Sequence, residues 1–172
     1  DVLLAALAQA LARFTGSDEV LVDLEGHGRE ELFDDVDLTR TVGWFTSMFP
    51  VALQVTGDDE GTLLKGVKEQ LRAVPKRGIG YGVLRYLGDE DVRGRVIAAA
   101  PVSFNYLGRF GQETGPARTF ASAPEVTGSS AAAAGERAHV VDVNGGIQDG
   151  RLFMSWSYST NLHERATIEA VA

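Results

Sequence analysis

The residues with the clearest capacity for chemistry are Glu25, His27 and Arg29, which supply a carboxylate, an imidazole and a guanidinium within one short stretch. They follow directly on residues 20–24 (VLVDL), whose alternating apolar side chains predict a short β-strand. Glycines between them permit a sharp turn and a close approach of other groups to the backbone. We therefore expect Glu25 at the rim of a sheet rather than along its face. The alternative for this stretch alone is a hairpin corner that carries a solvated charge cluster.

A second pair of polar side chains, Asn105 and Tyr106, lies where the predicted strand of residues 101–108 ends. These two residues supply an amide and a phenol at a position where a cleft could use them. Together with Glu25 they suit proton transfer next to a carbonyl group, because a carboxylate can act as the base while donors stabilise the oxyanion that forms. The alternative for the pair is a satisfied hydrogen-bond network at a strand end.

The composition excludes several classes of partner and of chemistry. A net charge of −8 and a pI near 4.8 argue against nucleic acid or an anionic membrane surface as a partner, since neither would meet a basic patch. No apolar run approaches the roughly 18 residues of a membrane span. The absence of cysteine excludes disulfides, thiolate catalysis and cysteine–zinc sites, and it fits a cytoplasmic location. The three histidines are too scattered for metal-ligand spacing, so no metal site is predicted.

Hydrophobic periodicity indicates the elements that position these side chains. Residues 2–14 predict a buried helix, because apolar side chains surround nearly its whole circumference. The strand that carries Glu25 follows, and residues 49–55 predict a second strand. Asp59 or Thr62 can cap an amphipathic surface helix that runs to about Val74. Helix, turn and buried strand in this order are typical of α/β organisation.

The segment between the first two strands combines an acidic stretch with large aromatic side chains. Residues 30–37 predict a surface loop that three apolar side chains anchor to the core. These are Leu32, Phe33 and Val36. Residues 40–46 (RTVGWFT) follow, and taken alone Trp44 and Phe45 are expected in the core rather than stacked on a ligand.

The remaining segments supply a glycine-rich loop, a long connection and a hairpin. Residues 78–82 (GIGYG) do not fit the dinucleotide-binding fingerprint, because Val83 replaces its third glycine and a helix precedes it. A loop that passes close to another group fits better. Residues 110–135 are rich in Gly, Ser, Ala and Pro and predict a surface connection. Residues 138–144 and 151–159 predict a β-hairpin.

Four motifs occur in the order and spacing of the epimerization domains of nonribosomal peptide synthetases, which this sequence resembles. They are VDLEGHGRE at residues 22–30, RTVGWFT at residues 40–46, GIGYG at residues 78–82 and FNYLG at residues 104–108. The first two motifs together also separate epimerization domains from the related condensation domains. The resemblance covers only the second half of such a domain. Its first half carries an HHxxxDG motif, and no His-His pair occurs in this sequence.

The resemblance implies a fold class and a set of partners. Each lobe of the family's domain resembles chloramphenicol acetyltransferase, so we expect an α/β fold of the α+β type, a sandwich in which helices cover a mixed sheet. Residues 1–172 would form the C-terminal lobe of an epimerization domain. Its partners would be the N-terminal lobe, a peptidyl carrier domain and the neighbouring synthetase domains. The phosphopantetheine arm of the carrier would deliver an aminoacyl or peptidyl thioester into a tunnel between the lobes.

The resemblance also implies a reaction and roles for named residues. A base removes the α-proton of the thioester, and protonation from the other face gives the D-residue without a redox or pyridoxal cofactor. Glu25 carries over as the acid/base residue of this lobe, facing a histidine of the other lobe. Asn105 and Tyr106 would orient the thioester or hydrogen-bond the enolate oxygen, and His27 is expected to be structural. The candidate substrate-binding residues are Arg40, Trp44, Gly80 and Tyr81.

Two other functions remain open from the sequence. A condensation domain would join two carrier-bound acyl groups by amide formation. A non-catalytic lobe would only dock carrier or neighbouring domains, although the presence of Glu25, Asn105 and Tyr106 argues against degeneration. The 172 residues alone are expected to be inactive and to self-associate, because one of two catalytic groups is missing and the lobe interface would be exposed.

Overall fold

The computed structural model describes residues 1–57, 59–96, 99–110, 125, 128 and 135–172. These residues contain five strands and five α-helices, and a 3₁₀ turn over Pro75–Gly78 lies between the second and the third helix. The elements are α1 (Val2–Thr15), β1 (Glu19–Gly26), β2 (Ser47–Gln54), α2 (Glu60–Ala73), α3 (Gly80–Leu87), α4 (Glu90–Arg95), β3 (Val102–Phe110), β4 (Val141–Gln148), β5 (Arg151–Tyr158) and α5 (Arg165–Val171). Most of the surface connection predicted over residues 110–135 lies outside the described residues. Among the helices of the described ranges, none has the length and apolar character that a membrane span requires.

The strands form one mixed sheet in the order β2-β1-β3-β4-β5. Antiparallel pairs join β1 to β2 and β4 to β5, whereas β3 runs parallel to both β1 and β4. Parallel neighbours need a crossover connection, and β2 with helices α2 to α4 lies in the connection from β1 to β3. The carboxyl ends of β1 and β3 consequently lie side by side at one edge of the sheet.

The core lies between one face of the sheet and the helices. Val22, Leu53 and Val143 are fully buried on this face, where alternate strand residues point the same way. Ala8 of α1 and Val67 of α2 belong to the same buried cluster, and so does Ile168 of α5. Helices thus cover one face of a mixed sheet, and the predicted fold class is confirmed.

Two locally encoded elements also match their predictions. Asp59 caps α2, since its carboxylate accepts a hydrogen bond from the Thr62 backbone N–H at 3.0 Å. Strands β4 and β5 form the predicted hairpin, but β4 continues to Gln148 instead of ending at residue 144, so that the turn is only Asp149-Gly150. Both turn residues have positive φ, 50° and 77°, which is the backbone that tight hairpin turns favour.

The glycine-rich segment differs from its prediction, because Gly80 and Tyr81 begin α3 instead of lying in a loop. The close approach is real but occurs at Gly78, just before the helix. Its φ is +79°, and a Cβ at that position would lie 2.1 Å from the ring of Phe49. The chain passes Gly78 and turns directly into a helix, since Ile79 already has helical φ and ψ of −59° and −28°.

The apolar anchors predicted for the acidic loop are wrong. Phe33 is 65% exposed, and Leu32 and Val36 are exposed as well. Residues 31–46 form no helix or strand and pack no apolar side chain into the core cluster. The segment is instead held by polar contacts from Arg29.

Candidate active site

Glu25 and Asn105 meet at the carboxyl ends of two parallel strands. The ladder between β1 and β3 ends with the pair Leu24 and Phe104, so the next residue on each strand comes side by side. The Asn105 side-chain amide Nδ2 donates a hydrogen bond to Glu25 Oε2 at 2.8 Å. Glu25 is exposed and Asn105 is half-buried. The structure therefore brings two of the three predicted catalytic side chains into contact and leaves the carboxylate accessible.

Tyr106 lies on the opposite face of the sheet from this pair. Neighbouring residues of a strand point to opposite faces, and Tyr106 is still within the regular part of β3, opposite Gly145 of β4. Its ring is on the side of the buried Phe104 and remains exposed. The structure does not place this phenol beside the Glu25 carboxylate.

His27 is tied into the turn that follows β1. Its Nδ1 accepts a hydrogen bond from the Arg29 backbone N–H at 2.9 Å. Its Nε2 lies 3.3 Å from a Glu30 carboxylate oxygen, and the other Glu30 oxygen lies 3.7 Å from Arg77 Nε. Both ring nitrogens are thus engaged locally, in keeping with a structural role for His27.

Arg29, which the sequence singles out only as a charged neighbour of Glu25, holds the loop of residues 31–46. Its guanidinium donates to the Leu38 carbonyl and to the Gly43 carbonyl, each at 3.1 Å. It also stacks 4.5 Å above the centroid of the Phe45 ring, a distance at which cation–π attraction operates. One side chain therefore connects the turn after Glu25 to the RTVGWFT motif.

The same turn requires glycine at position 28. Its φ is +65°, and a Cβ on it would lie 1.6 Å from the carbonyl oxygen of Phe45. No other residue fits there without moving the loop. The turn after Glu25 and residues 43–45 are thus packed against each other through Gly28 and Arg29.

A cavity of about 540 Å³ borders the end of β1. Its charged lining residues are the acidic Asp1, Glu25 and Glu30 and the basic Lys68, Arg72 and Arg77. The cavity therefore has a polar lining of both charges beside the residue Glu25. Over the described residues, no three His, Asp or Glu side chains are placed to hold a metal ion.

The predicted substrate-binding residues lie away from this cavity. Arg40 and Trp44 belong to the exposed loop of residues 31–46, and Gly80 is exposed at the start of α3. Tyr81 is half-buried and lines a different cavity of about 480 Å³. Trp44 is 91% exposed and Phe45 is 38% exposed, so the expectation that both belong to the core is wrong. The loop carries the Trp44 ring outward, while Phe45 beside it packs beneath Arg29.

Sequence relatives of the chain belong to peptide synthetases. A linear gramicidin synthase protein of Brevibacillus parabrevis is 49% identical over 176 residues, which cover 100% of this chain and 2% of that protein. Surfactin synthase subunit 1 of Bacillus subtilis (strain 168) is 45% identical over 169 residues, 96% of this chain and 5% of that protein. The chain therefore spans only a small part of the curated relatives it matches.

Solved structures and a family model point to the same group of proteins as these sequence relatives. The crystal structure of the epimerization domain from the third module of tyrocidine synthetase B superposes with a TM-score of 0.85 at 37% identity, over 99% of this chain and 38% of that one. A condensation domain from the enacyloxin polyketide synthase has the same fold, with a TM-score of 0.62 at 19% identity, over 99% of this chain and 33% of that one. The family model described as the condensation domain matches residues 1–172. The chain belongs to the condensation-domain family.

Proposed function

We propose that this chain is the C-terminal lobe of an epimerization domain in a nonribosomal peptide synthetase. Its substrate would be an L-aminoacyl or peptidyl residue held as a thioester on the phosphopantetheine arm of a carrier domain, and its product the D-form. The observation that carries the proposal is the hydrogen bond between Glu25 and Asn105, which joins side chains 80 positions apart at one sheet edge. The likeness to an epimerization domain at 37% identity supports the same reaction.

The chemistry assigned to Glu25 is proton transfer at the α-carbon. The thioester carbonyl makes the α-proton removable, and the bonding electrons pass to the carbonyl oxygen as the Cα–H bond breaks. Addition of a proton to the opposite face of Cα restores the thioester with inverted configuration. Glu25 exchanges this proton on one face, and a histidine from the N-terminal lobe would serve the other.

Asn105 has two tasks in this scheme. Its amide orients the Glu25 carboxylate through the 2.8 Å hydrogen bond. An amide donor at the same place can also stabilise negative charge that develops on the thioester oxygen. The cationic side chains Lys68, Arg72 and Arg77 around the neighbouring cavity suit the approach of a phosphate-bearing arm.

The second candidate function is amide formation by a condensation domain. The family model carries that description, and condensation domains share the fold. A condensation domain must activate an amine rather than remove an α-proton. It therefore predicts retention of an α-deuterium label, and this separates the two functions.

The test is loss of deuterium from an α-deuterated aminoacyl thioester loaded on a carrier domain, using the full-length protein that contains this chain. Glu25→Gln removes the proton-transfer group and keeps an amide of similar shape, so exchange should slow by roughly 10²–10⁴-fold. Glu31→Gln, at an exposed glutamate of the neighbouring loop, is the matched control and should exchange at the unmodified rate. Equal exchange by Glu25→Gln and Glu31→Gln would reject Glu25 as the proton-transfer residue. Retention of label by the unmodified protein, with amide product formed, would favour condensation.

A further inference from the structure

A buried group of charged side chains lies on the sheet face that carries Glu25 and Asn105. Asp23 and His139 are only 5% and 7% exposed. His139 Nε2 lies 2.8 Å from Asp23 Oδ2, and His139 Nδ1 lies 3.1 Å from Asp142 Oδ1. One imidazole thus bridges two carboxylates that come from β1 and β4. None of these three residues has a part in the proton transfer described above.

The bridge extends to β3 and β5. The Ser103 hydroxyl of β3 donates to Asp142 Oδ1 at 2.7 Å. Arg137 pairs with the other oxygen of Asp142 and donates to the Ser157 carbonyl of β5 at 2.8 Å. The backbone N–H of Ala100, just before β3, donates to Asp23 Oδ2 at 3.2 Å. The cluster therefore ties together four neighbouring strands of the sheet.

The arrangement of charged groups makes the bridge sensitive to substitution. The His139 imidazole lies between the carboxylates of Asp23 and Asp142, and the Arg137 guanidinium pairs with Asp142. Removing one partner leaves a buried charge without compensation, which is costly in a protein interior.

The position of the cluster relates it directly to the candidate site. Asp23 precedes Glu25 by two residues on β1, and Ser103 precedes Asn105 by two residues on β3, so each pair shares a face. The backbone ladder between β1 and β3 is only three residue pairs long, whereas β1 and β2 pair over eight. The side-chain cluster consequently supplies much of what fixes β1 against β3 next to the site.

We propose that His139 is a positioning residue, which holds Glu25 and Asn105 in register by bridging Asp23 and Asp142. Its ring nitrogens meet Asp142 and Asp23 rather than Glu25, and it acts through the spacing of β1 and β3. The kinetic consequence rests on the proposed function, whereas the geometric consequence does not.

The kinetic test compares His139→Ala with Val143→Ala in the full-length protein, by α-deuterium exchange from the carrier-bound substrate. Val143 is fully buried on the other face of β4, so its truncation weakens the sheet without touching the polar cluster. His139→Ala should lower kcat by up to about 10²-fold, as a misplaced catalytic group does, with KM unchanged. Val143→Ala should keep kcat. Equal kcat values for the two variants would overturn the positioning role.

Two conservative variants keep the proposal testable if His139→Ala fails to fold. His139→Gln can preserve a hydrogen bond near the Nε2 position, towards Asp23 on the strand of Glu25. His139→Asn can preserve one near the Nδ1 position, towards Asp142. We expect His139→Gln to retain the higher kcat, because it keeps the contact to β1. The reverse order would contradict the proposal.

The geometric test needs no turnover. The side-chain amide signal of Asn105, observed by NMR in the ¹⁵N-asparagine-labelled chain, reports its hydrogen bond to Glu25. The signal should move in His139→Gln and His139→Asn, and it should stay in place in Val143→Ala. An unmoved signal in both histidine variants would overturn the inference. If the unmodified protein shows no α-exchange, the proposed function fails, and this signal alone decides the role of His139.

Discussion

At the scale of single residues, the stretch EGHGRE divides into Glu25, the proposed acid/base residue, and several groups that build the turn beside it. Glu25 meets Asn105, while Arg29 and Gly28 join the turn to the RTVGWFT motif. The sequence allowed Glu25 and Asn105 to be grouped, because polar residues at strand ends stand out. It could not reveal the role of Arg29, because its hydrogen-bond acceptors are backbone carbonyls that leave no mark on residue type.

The tight packing at Gly28 yields a prediction for its replacement. Gly28→Ala requires alanine to adopt a left-handed backbone conformation, which costs about 1–2 kcal/mol. The added Cβ would also lie 1.6 Å from the Phe45 carbonyl oxygen, which is a severe steric clash. We expect the free energy of unfolding to fall by more than the conformational cost alone, and the α-exchange rate of the full-length protein to fall as well. Urea unfolding and the deuterium assay measure the two effects.

The control for this variant is Gly94→Ala in α4. A Cβ at Gly94 meets nothing within 4 Å, and alanine is favoured over glycine in a helix by up to about 1 kcal/mol. Gly94→Ala should therefore be neutral or stabilising. Equal effects of the two substitutions would show that the contact at Gly28 has no special role.

At the scale of elements, predictions succeeded where one local signal was enough. Helix α2 has an apolar face and a capping aspartate, and the β4–β5 hairpin has alternating side chains around Asp149-Gly150. The start of helix α3 was missed, because glycine is a poor helix former and the first turn of α3 contains two glycines. Tertiary packing of the 3₁₀ turn against Phe49, which no local pattern encodes, sets where α3 begins.

The cap of α2 gives a prediction for pH. Hydrogen bonds from the side chain and the backbone of Thr62 lower the pKa of Asp59 from its ordinary 3.8. A pKa lowered in the folded state means that the stabilisation is complete above pH 3.8 and is lost as the pH falls through the folded pKa. Asp59→Asn keeps a capping acceptor without the charge. Its Tm should lie below that of the unmodified chain near neutral pH and approach it in acid.

Thermal unfolding followed by circular dichroism, between about pH 6 and about pH 2, measures this difference. Asp18→Asn is the control, because Asp18 is exposed and its side chain makes no capping hydrogen bond to a helix. A Tm difference for Asp59→Asn that does not change with pH would show that the carboxylate charge has no part in the cap.

At the scale of the whole molecule, the sheet order could not be predicted from the sequence. Nothing in residues 19–26 or 102–110 states that these strands pair in parallel, since partner choice depends on how the intervening helices pack. The polar cluster around His139 was invisible for the same reason, because its members are up to 116 positions apart. The resemblance to epimerization domains predicted the fold class, whereas local sequence patterns predicted the individual helices and strands.

The exposed loop of residues 31–46 predicts self-association of the isolated chain. Val42 is 99% exposed and Trp44 is 91% exposed, and apolar groups presented together favour contact with another surface. Light scattering should show a mass that rises with concentration. The double substitution Val42→Ser with Trp44→Ser should reduce this rise, whereas Leu162→Ser, at an exposed apolar residue near α5, should not. A constant monomer mass for the unmodified chain would contradict the prediction.

The parallel pairing of β1 with β3 also determines when the site forms during synthesis. Helix α2 and the β4–β5 hairpin use contacts between near neighbours, which close quickly, whereas contacts between distant residues must first overcome the entropy of a long loop. Glu25 and Asn105 are such a distant pair, with β2 and α2 to α4 between them. A nascent chain that has emerged only as far as α4 already contains the entire EGHGRE stretch, yet its carboxylate has no amide to meet. The site is therefore completed late in folding, after the elements that carry its parts.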